Sequence, residues 1–197
     1  MPIIDPGGTI TIHLFAGFFG WAVAFLMRPN KIAKNNPNFR PSYGSVSMTL
    51  LGTFFIWIYF PSLNSALMLN SLRFLASINT VFALLTSTIS TFILSAALRR
   101  NKFRWENIAY ATVTGGVMIG WCWSIITTPY IAMLIGLIAG IWSTLSFEYL
   151  FPIFPRCKLF ETRGIVHMHL MPAGIGVLIS YILILLTTST TMKNPNF

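Results

Sequence analysis

The sequence alternates long apolar stretches with short basic breaks, and this alternation leaves few folds open. Six stretches, at about 7–27, 45–69, 77–98, 108–126, 130–151 and 164–188, each run far enough as a helix to cross ~30 Å of hydrocarbon. Polar segments such as "RPNKIAKNNPNFRPSYG" and "RRNKFRWEN" separate them. Only 9% of the residues are charged, against roughly 25% in soluble domains. The acids are four in all: Asp5, Glu106, Glu148 and Glu161. A chain of 197 residues composed in this way cannot cover itself with polar surface, so its solvent is lipid. The expectation is an all-α polytopic membrane helix bundle of six transmembrane helices, with 1–197 forming one membrane domain.

The net charge of +9 does not mark a nucleic-acid partner, because a basic patch needs a soluble surface to sit on. Topology explains it instead. Arg28, Lys31, Lys34 and Arg40 follow the first stretch, Arg99, Arg100, Lys102 and Arg104 the third, and Arg156, Lys158 and Arg163 the fifth. The alternate loops and tails hold only Arg73 and Lys193. Lys and Arg gather on the cytoplasmic side, so the three basic loops face inward and both ends of the chain face outward. The expected setting is that of an integral membrane protein, with the plasma membrane as the expected location. The opening "MPIIDPGGTI" has an acid and two prolines where a leader would be basic, so no cleavable signal is expected. Cys122 lies within a span and Cys157 in a cytoplasmic loop, so no disulfide is expected between them.

Gly136 and Gly140, and likewise Gly116 and Gly120, repeat at the four-residue spacing that lets helix backbones approach. Trp121, Trp123 and Tyr130 read as outer interfacial anchors, and Trp105 and Tyr43 as inner ones.

Ionisable residues inside a span are functional candidates by default. Three are histidines: His13 in the first stretch, His167 and His169 in the last. Asp5 followed by Pro6 reads as an N-cap and first helical residue, which sets His13 about two turns into its helix. Residues two apart on a helix point ~200° apart, so His167 and His169 cannot line one pore together. Pro172 cannot donate to the carbonyl of Met168 and loosens the helix beside His169. That favours His169 without excluding His167. Two imidazoles on different helices can bind metal, ligate haem or relay a proton. No cysteine or carboxylate completes a zinc set, and no nucleophile–base arrangement indicates an enzyme. No cofactor is expected. A pore remains, in which neutral imidazoles each offer one donor and one acceptor.

The residues resemble a known family. "DPGGTITIHLFAGFFGWAVA" is similar to the Asp…Gly-Gly…His segment of the ammonium transporter and Rhesus (Rh) glycoprotein family. "LGTFFIWIYFPSLNSAL" resembles the Rh-branch segment with a Trp-Pro-Ser-Phe-Asn-Ser-Ala core. "INTVFALLTSTISTF", "GGVMIG" and "PYIAMLIGLIAGIWSTL" follow in family order, and "ETRGIVHMHLMPAGIG" matches the segment of the second histidine. The resemblance implies a trimer of pores, homomeric or formed with other Rh-type subunits. Each pore strips a proton from ammonium at the outer mouth and passes ammonia along a narrow apolar path past two hydrogen-bonded histidines. Matched by position, these are His13 and His169, and His167 falls where the family usually has asparagine. Asp5 matches the acid supporting outer recruitment, and Glu161 an inner acid that is usually aspartate.

The sequence also departs from the pattern. It begins at the family's fifth conserved helix, and the matched segments stop before the family's last helix and cytoplasmic tail. Leu63 stands at the position of a gating phenylalanine, which implies a looser constriction, and Leu170 and Ala173 alter the packing beside the second histidine. Two expectations follow: an Rh-type ammonium channel with a His-pair pore, or a truncated, non-transporting Rh-like membrane protein with a structural or scaffold role.

Overall fold

Helix is the one regular structure that lipid tolerates in a chain without a closed barrel, because each segment satisfies its own backbone. The computed structural model describes residues 5–26, 42–99, 104–122, 126–153 and 164–193, and among these the regular elements are helical. They are a π turn π1 (Thr9–Leu14) leading into α1 (Phe15–Leu26), then α2 (Tyr43–Ser65), α3 (Asn70–Leu98) and α4 (Trp105–Ile119). Next come α5 (Pro129–Leu145) running into π2 (Ser146–Leu150), and π3 (Val166–Leu170) running into α6 (Met171–Lys193). The expected fourth stretch, 108–126, overlaps α4, whose 15 residues measure ~22 Å. Five longer helical stretches are apolar and long enough to cross a membrane: Thr9–Leu26, Tyr43–Ser65, Ser71–Leu98, Pro129–Leu150 and Val166–Thr188. Glu161, Trp123, Cys157 and most of the basic loop residues lie outside the described residues.

The interior is built on small and polar side chains rather than on bulk. Along α3, Ala76, Asn79, Thr80, Ala83, Leu84, Ser87, Thr91 and Ser95 are buried at three- and four-residue intervals, a single helical stripe. α5 lies on this stripe through Gly136 and Gly140, where an added Cβ would overlap the main chain of Ala83 and Ser87. Hydrogen bonds also tie this stripe to its neighbours. Thr91 Oγ1 donates to the Gly140 carbonyl (3.1 Å), Ser87 Oγ to the Ala111 carbonyl (3.1 Å) and Asn79 Nδ2 to the Ile126 carbonyl (3.0 Å). In lipid such bonds average ~0.6 kcal/mol each, and close packing supplies the rest.

α4 packs against α2, α3, α5 and α6 and is the most enclosed element. One apolar cluster joins Met118, Ile119 and Cys122 to Ile135 and Ala139, and to Ile175 and Ile179 of α6. A second joins Phe60, Leu84, Val117 and Ala173. The outward faces carry Phe15, Phe19, Phe54 and Leu67, all exposed. That surface suits hydrocarbon, and the protein is an integral membrane protein. At the end where α3 meets α4, Arg99 forms a bidentate pair with Glu148 (3.0 and 2.7 Å). Asn107 Nδ2 donates to both Glu148 Oε1 and Ser95 Oγ, at 3.2 Å each.

Candidate functional site

The first histidine is set by a short loop. Asp5 Oδ2 accepts from the backbone N–H of Ile10 (2.9 Å) and Thr11 (2.7 Å) and from Thr11 Oγ1 (2.8 Å). Asp5 therefore caps the helix start, but across an intervening Pro-Gly-Gly turn. Pro6 is not the first helical residue. Gly8 takes a left-handed conformation (φ 67°), which glycine adopts without the Cβ penalty, and the helix begins at Thr9. His13 consequently lies in the first turn, not two turns in. Its N–H bonds to the Gly8 carbonyl five residues back (3.0 Å), giving the wide π geometry. Two contacts fix this loop to α4. Thr9 Oγ1 donates to the Val117 carbonyl (3.0 Å), and the backbone of Gly7 lies directly on Gly120.

The second histidine is set in the same way. Gly164 is left-handed (φ 72°) and precedes π3, which carries His169. The wide turn falls just where Pro172 withdraws its N–H from the helix. π3 lies against α1 at Gly17, where an added Cβ would meet the main chain of Leu170 (2.9 Å to Cα). The two helix starts thus meet, and His13 Nδ1 lies 3.0 Å from His169 Nδ1. The rings are near parallel, at 19° with centroids 5.1 Å apart.

Nitrogen to nitrogen, this contact dictates the proton arrangement. One Nδ1 donates and the other accepts, so two neutral rings must hold opposite tautomers. The outward Nε2 atoms then present one lone pair and one N–H. His13 is buried, and its Nε2 has no hydrogen-bond partner among the described residues. His169 is half-buried. His167, on the opposite side of π3, is buried against Phe147 and Phe151 (centroids 5.3 and 5.7 Å).

Of the other sequence-predicted residues, Asp5 sits at the head of π1, and its Oδ1 is buried with no hydrogen-bond partner among the described residues. Leu63 is 50% exposed on α2. The ring that lies over His13 is Phe60, one turn earlier, stacked at 6.2 Å and 24°. Sequence reading missed Phe60, although it stands beside Pro61 in the same motif. It also missed a repeat: "GTITIHL" and "GIVHMHL" both place glycine five residues before His-Leu, and each histidine has an acid eight residues before it. Gly116 and Gly120, which resemble a second helix-packing pair, serve the site instead. A Cβ on Gly116 would lie 2.5 Å from the Phe60 ring, and one on Gly120 would lie 2.6 Å from Thr9 Oγ1.

Comparison with known proteins gives a consistent result. A family model described as the Ammonium Transporter Family matches residues 1–196. Ammonium transporter Rh type C of Xenopus laevis is 37% identical over 177 residues, 88% of this chain and 37% of that protein. Ammonium transporter Rh type A of Bos taurus is 34% identical over 192 residues, 96% of this chain and 45% of that protein. The solved structure of Nitrosomonas europaea Rh50 superposes with a TM-score of 0.85 at 27% identity, over 91% of this chain and 47% of that one. The chain therefore spans less than half the length of the relatives it matches. With a family match over nearly all its residues and Rh-type relatives throughout, the chain belongs to the Ammonium Transporter Family, in its Rh branch.

Proposed function

We propose that this chain is an Rh-type channel for ammonium, transported as ammonia past His13 and His169. The observation that supports this reading best is the 3.0 Å contact between the two Nδ1 atoms deep in the helix bundle. A cation at mid-bilayer costs at least ~2.5–3.5 kcal/mol on the most lenient scale. Ammonia avoids that cost, provided that its lone pair and N–H groups are met on the way. The tautomeric pair offers one outward acceptor and one outward donor, which matches a molecule with both functions. Ammonium gives its proton to water at the outer side, ammonia crosses, and a proton is taken up again on the inner side.

In this reading Asp5 recruits the cation. Its Oδ2 is occupied by helix N–H groups, and its Oδ1 is a buried acceptor without a partner among the described residues. Glu161 is the corresponding inner acid, and aliphatic Leu63 makes a wider gate than phenylalanine would. Six spans form one membrane domain with both chain ends outside and the basic loops in the cytoplasm, at the plasma membrane. The assembly is a trimer, homomeric or with other Rh-type subunits. It acts as a transporter, not an enzyme. Methylammonium uptake into liposomes carrying the inserted chain tests the proposal. Uptake above that of empty vesicles is expected. Uptake at the empty-vesicle level would leave the other reading, a non-transporting Rh-like membrane protein.

A further inference from the structure

His167 takes no part in the pair, yet it is fully buried two residues before the pore histidine. Its ring is tilted against Phe147 at 57° and stands edge-on to Phe151 at 64°, both at the π2 end of α5. Phe147 is held in turn. It stacks on Tyr110 of α4 at 4.1 Å and 22°, and its ring lies on Gly164, where a Cβ would come within 2.6 Å. One aromatic residue therefore seats both the left-handed start of π3 and the histidine that follows it. Glu148, next in sequence to Phe147, is tied to Arg99 and Asn107, which anchors π2 to α3 and α4.

His167 and His169 leave π3 on roughly opposite sides, so any rotation of this turn moves the two rings in opposite senses. A ring ~6 Å from a helix axis moves ~1 Å for a rotation of ~10°. The 3.0 Å bond between His13 and His169 tolerates about half of that before its geometry is lost. We propose that His167 is a positioning residue: wedged between Phe147 and Phe151, its ring fixes the rotation of π3 that aims His169 at His13. The role rests on the channel reading only for its consequence in flux. The wedge itself is a geometric statement about the folded chain.

The test uses the full chain in bilayers, with histidines labelled with nitrogen-15 in the ring. In His167→Phe and His167→Ala only His13 and His169 remain, so an Nδ1–Nδ1 proximity signal has a single assignment. His167→Phe keeps a flat ring in the wedge and is expected to retain both the signal and the uptake of the parent. His167→Ala is expected to lose the signal and to lower methylammonium uptake at least ~10-fold. Phe151→Ala, which removes one wall and leaves His167 in place, is expected to weaken the signal and serves where His167→Ala does not insert. A full signal in His167→Ala, or its loss in His167→Phe, overturns the proposal. A signal that behaves as expected, in a parent that transports nothing, supports the wedge and overturns the channel reading alone.

Discussion

Replacing Gly7 by alanine puts a methyl carbon 2.5 Å from the carbonyl oxygen of Gly120 and 2.6 Å from its Cα. Ordinary contact begins at 3.4 Å, so the loop and the end of α4 must separate by about 0.9 Å. Both sides of this contact are main chain, so no flexible side chain can yield. Gly7 has no positive φ, so the penalty is steric alone. Overpacking of this kind costs about 1–3 kcal/mol. The displacement also exceeds the slack of about 0.5 Å in the 3.0 Å bond between His13 and His169. Gly7→Ala is therefore expected to lower the unfolding midpoint in detergent and to reduce methylammonium uptake at least ~10-fold. Gly174→Ala is the control. It lies in α6, but nothing lies within 4 Å of its added Cβ. Alanine there should be neutral, or stabilising by about 0.5–1 kcal/mol. If Gly7→Ala matched Gly174→Ala in both assays, the proposed seating of π1 on α4 would be refuted.

Three further outcomes are expected. Phe60→Ala empties the pocket over His13 and Gly116 and should destabilise by about 3 kcal/mol; Leu63→Ala, at a half-exposed position, should cost under ~1 kcal/mol. Comparative thermal unfolding distinguishes them, and equal losses would contradict the burial. Asp5→Asn keeps an acceptor for the helix cap while removing the charge, so stability should fall by ~1 kcal/mol or less while uptake at low methylammonium concentration falls more steeply. An unchanged concentration dependence would remove Asp5 from recruitment. Arg99→Ala should destabilise by about 0.5–1 kcal/mol, because this pair is partly solvated, and Arg104→Ala, whose pair with Glu106 is longer at 3.7 Å, by less. Chemical denaturation of the two variants in one detergent checks that order.

Much of the architecture is legible in the sequence because lipid imposes it. The absence of charge over twenty-residue stretches forces helix, and Gly136 with Gly140 announces a close crossing before any partner is known. Other features depend on partners that one-dimensional spacing cannot identify. Gly116 and Gly120 show the same interval as Gly136 and Gly140, yet they receive an aromatic ring and a loop. Asp5-Pro6 has the composition of an ordinary helix start. Gly8 lets the chain turn left-handed first, so the cap reaches five and six residues ahead. Helical periodicity alone separates His167 from His169, and their opposite environments in π3 follow from it. The match of His13 to His169 rests on family resemblance, because no local rule links residues 156 positions apart. The family resemblance sets the gate position at Leu63, and the ring stacked over His13 is that of Phe60. Aromatic stacking depends on how a helix is rotated, and neither the family pattern nor the hydropathy of α2 specifies that rotation.

The most direct test of the central claim is a double-substitution cycle on the pair, read as methylammonium uptake by proteoliposomes with equal inserted protein. His13 and His169 acting as one hydrogen-bonded unit predict that His13→Ala and His169→Ala each reduce uptake strongly, and that the double variant is little worse than either single one. Uptake losses that multiply in the double variant, or a His169→Ala variant that transports like the parent, would contradict it.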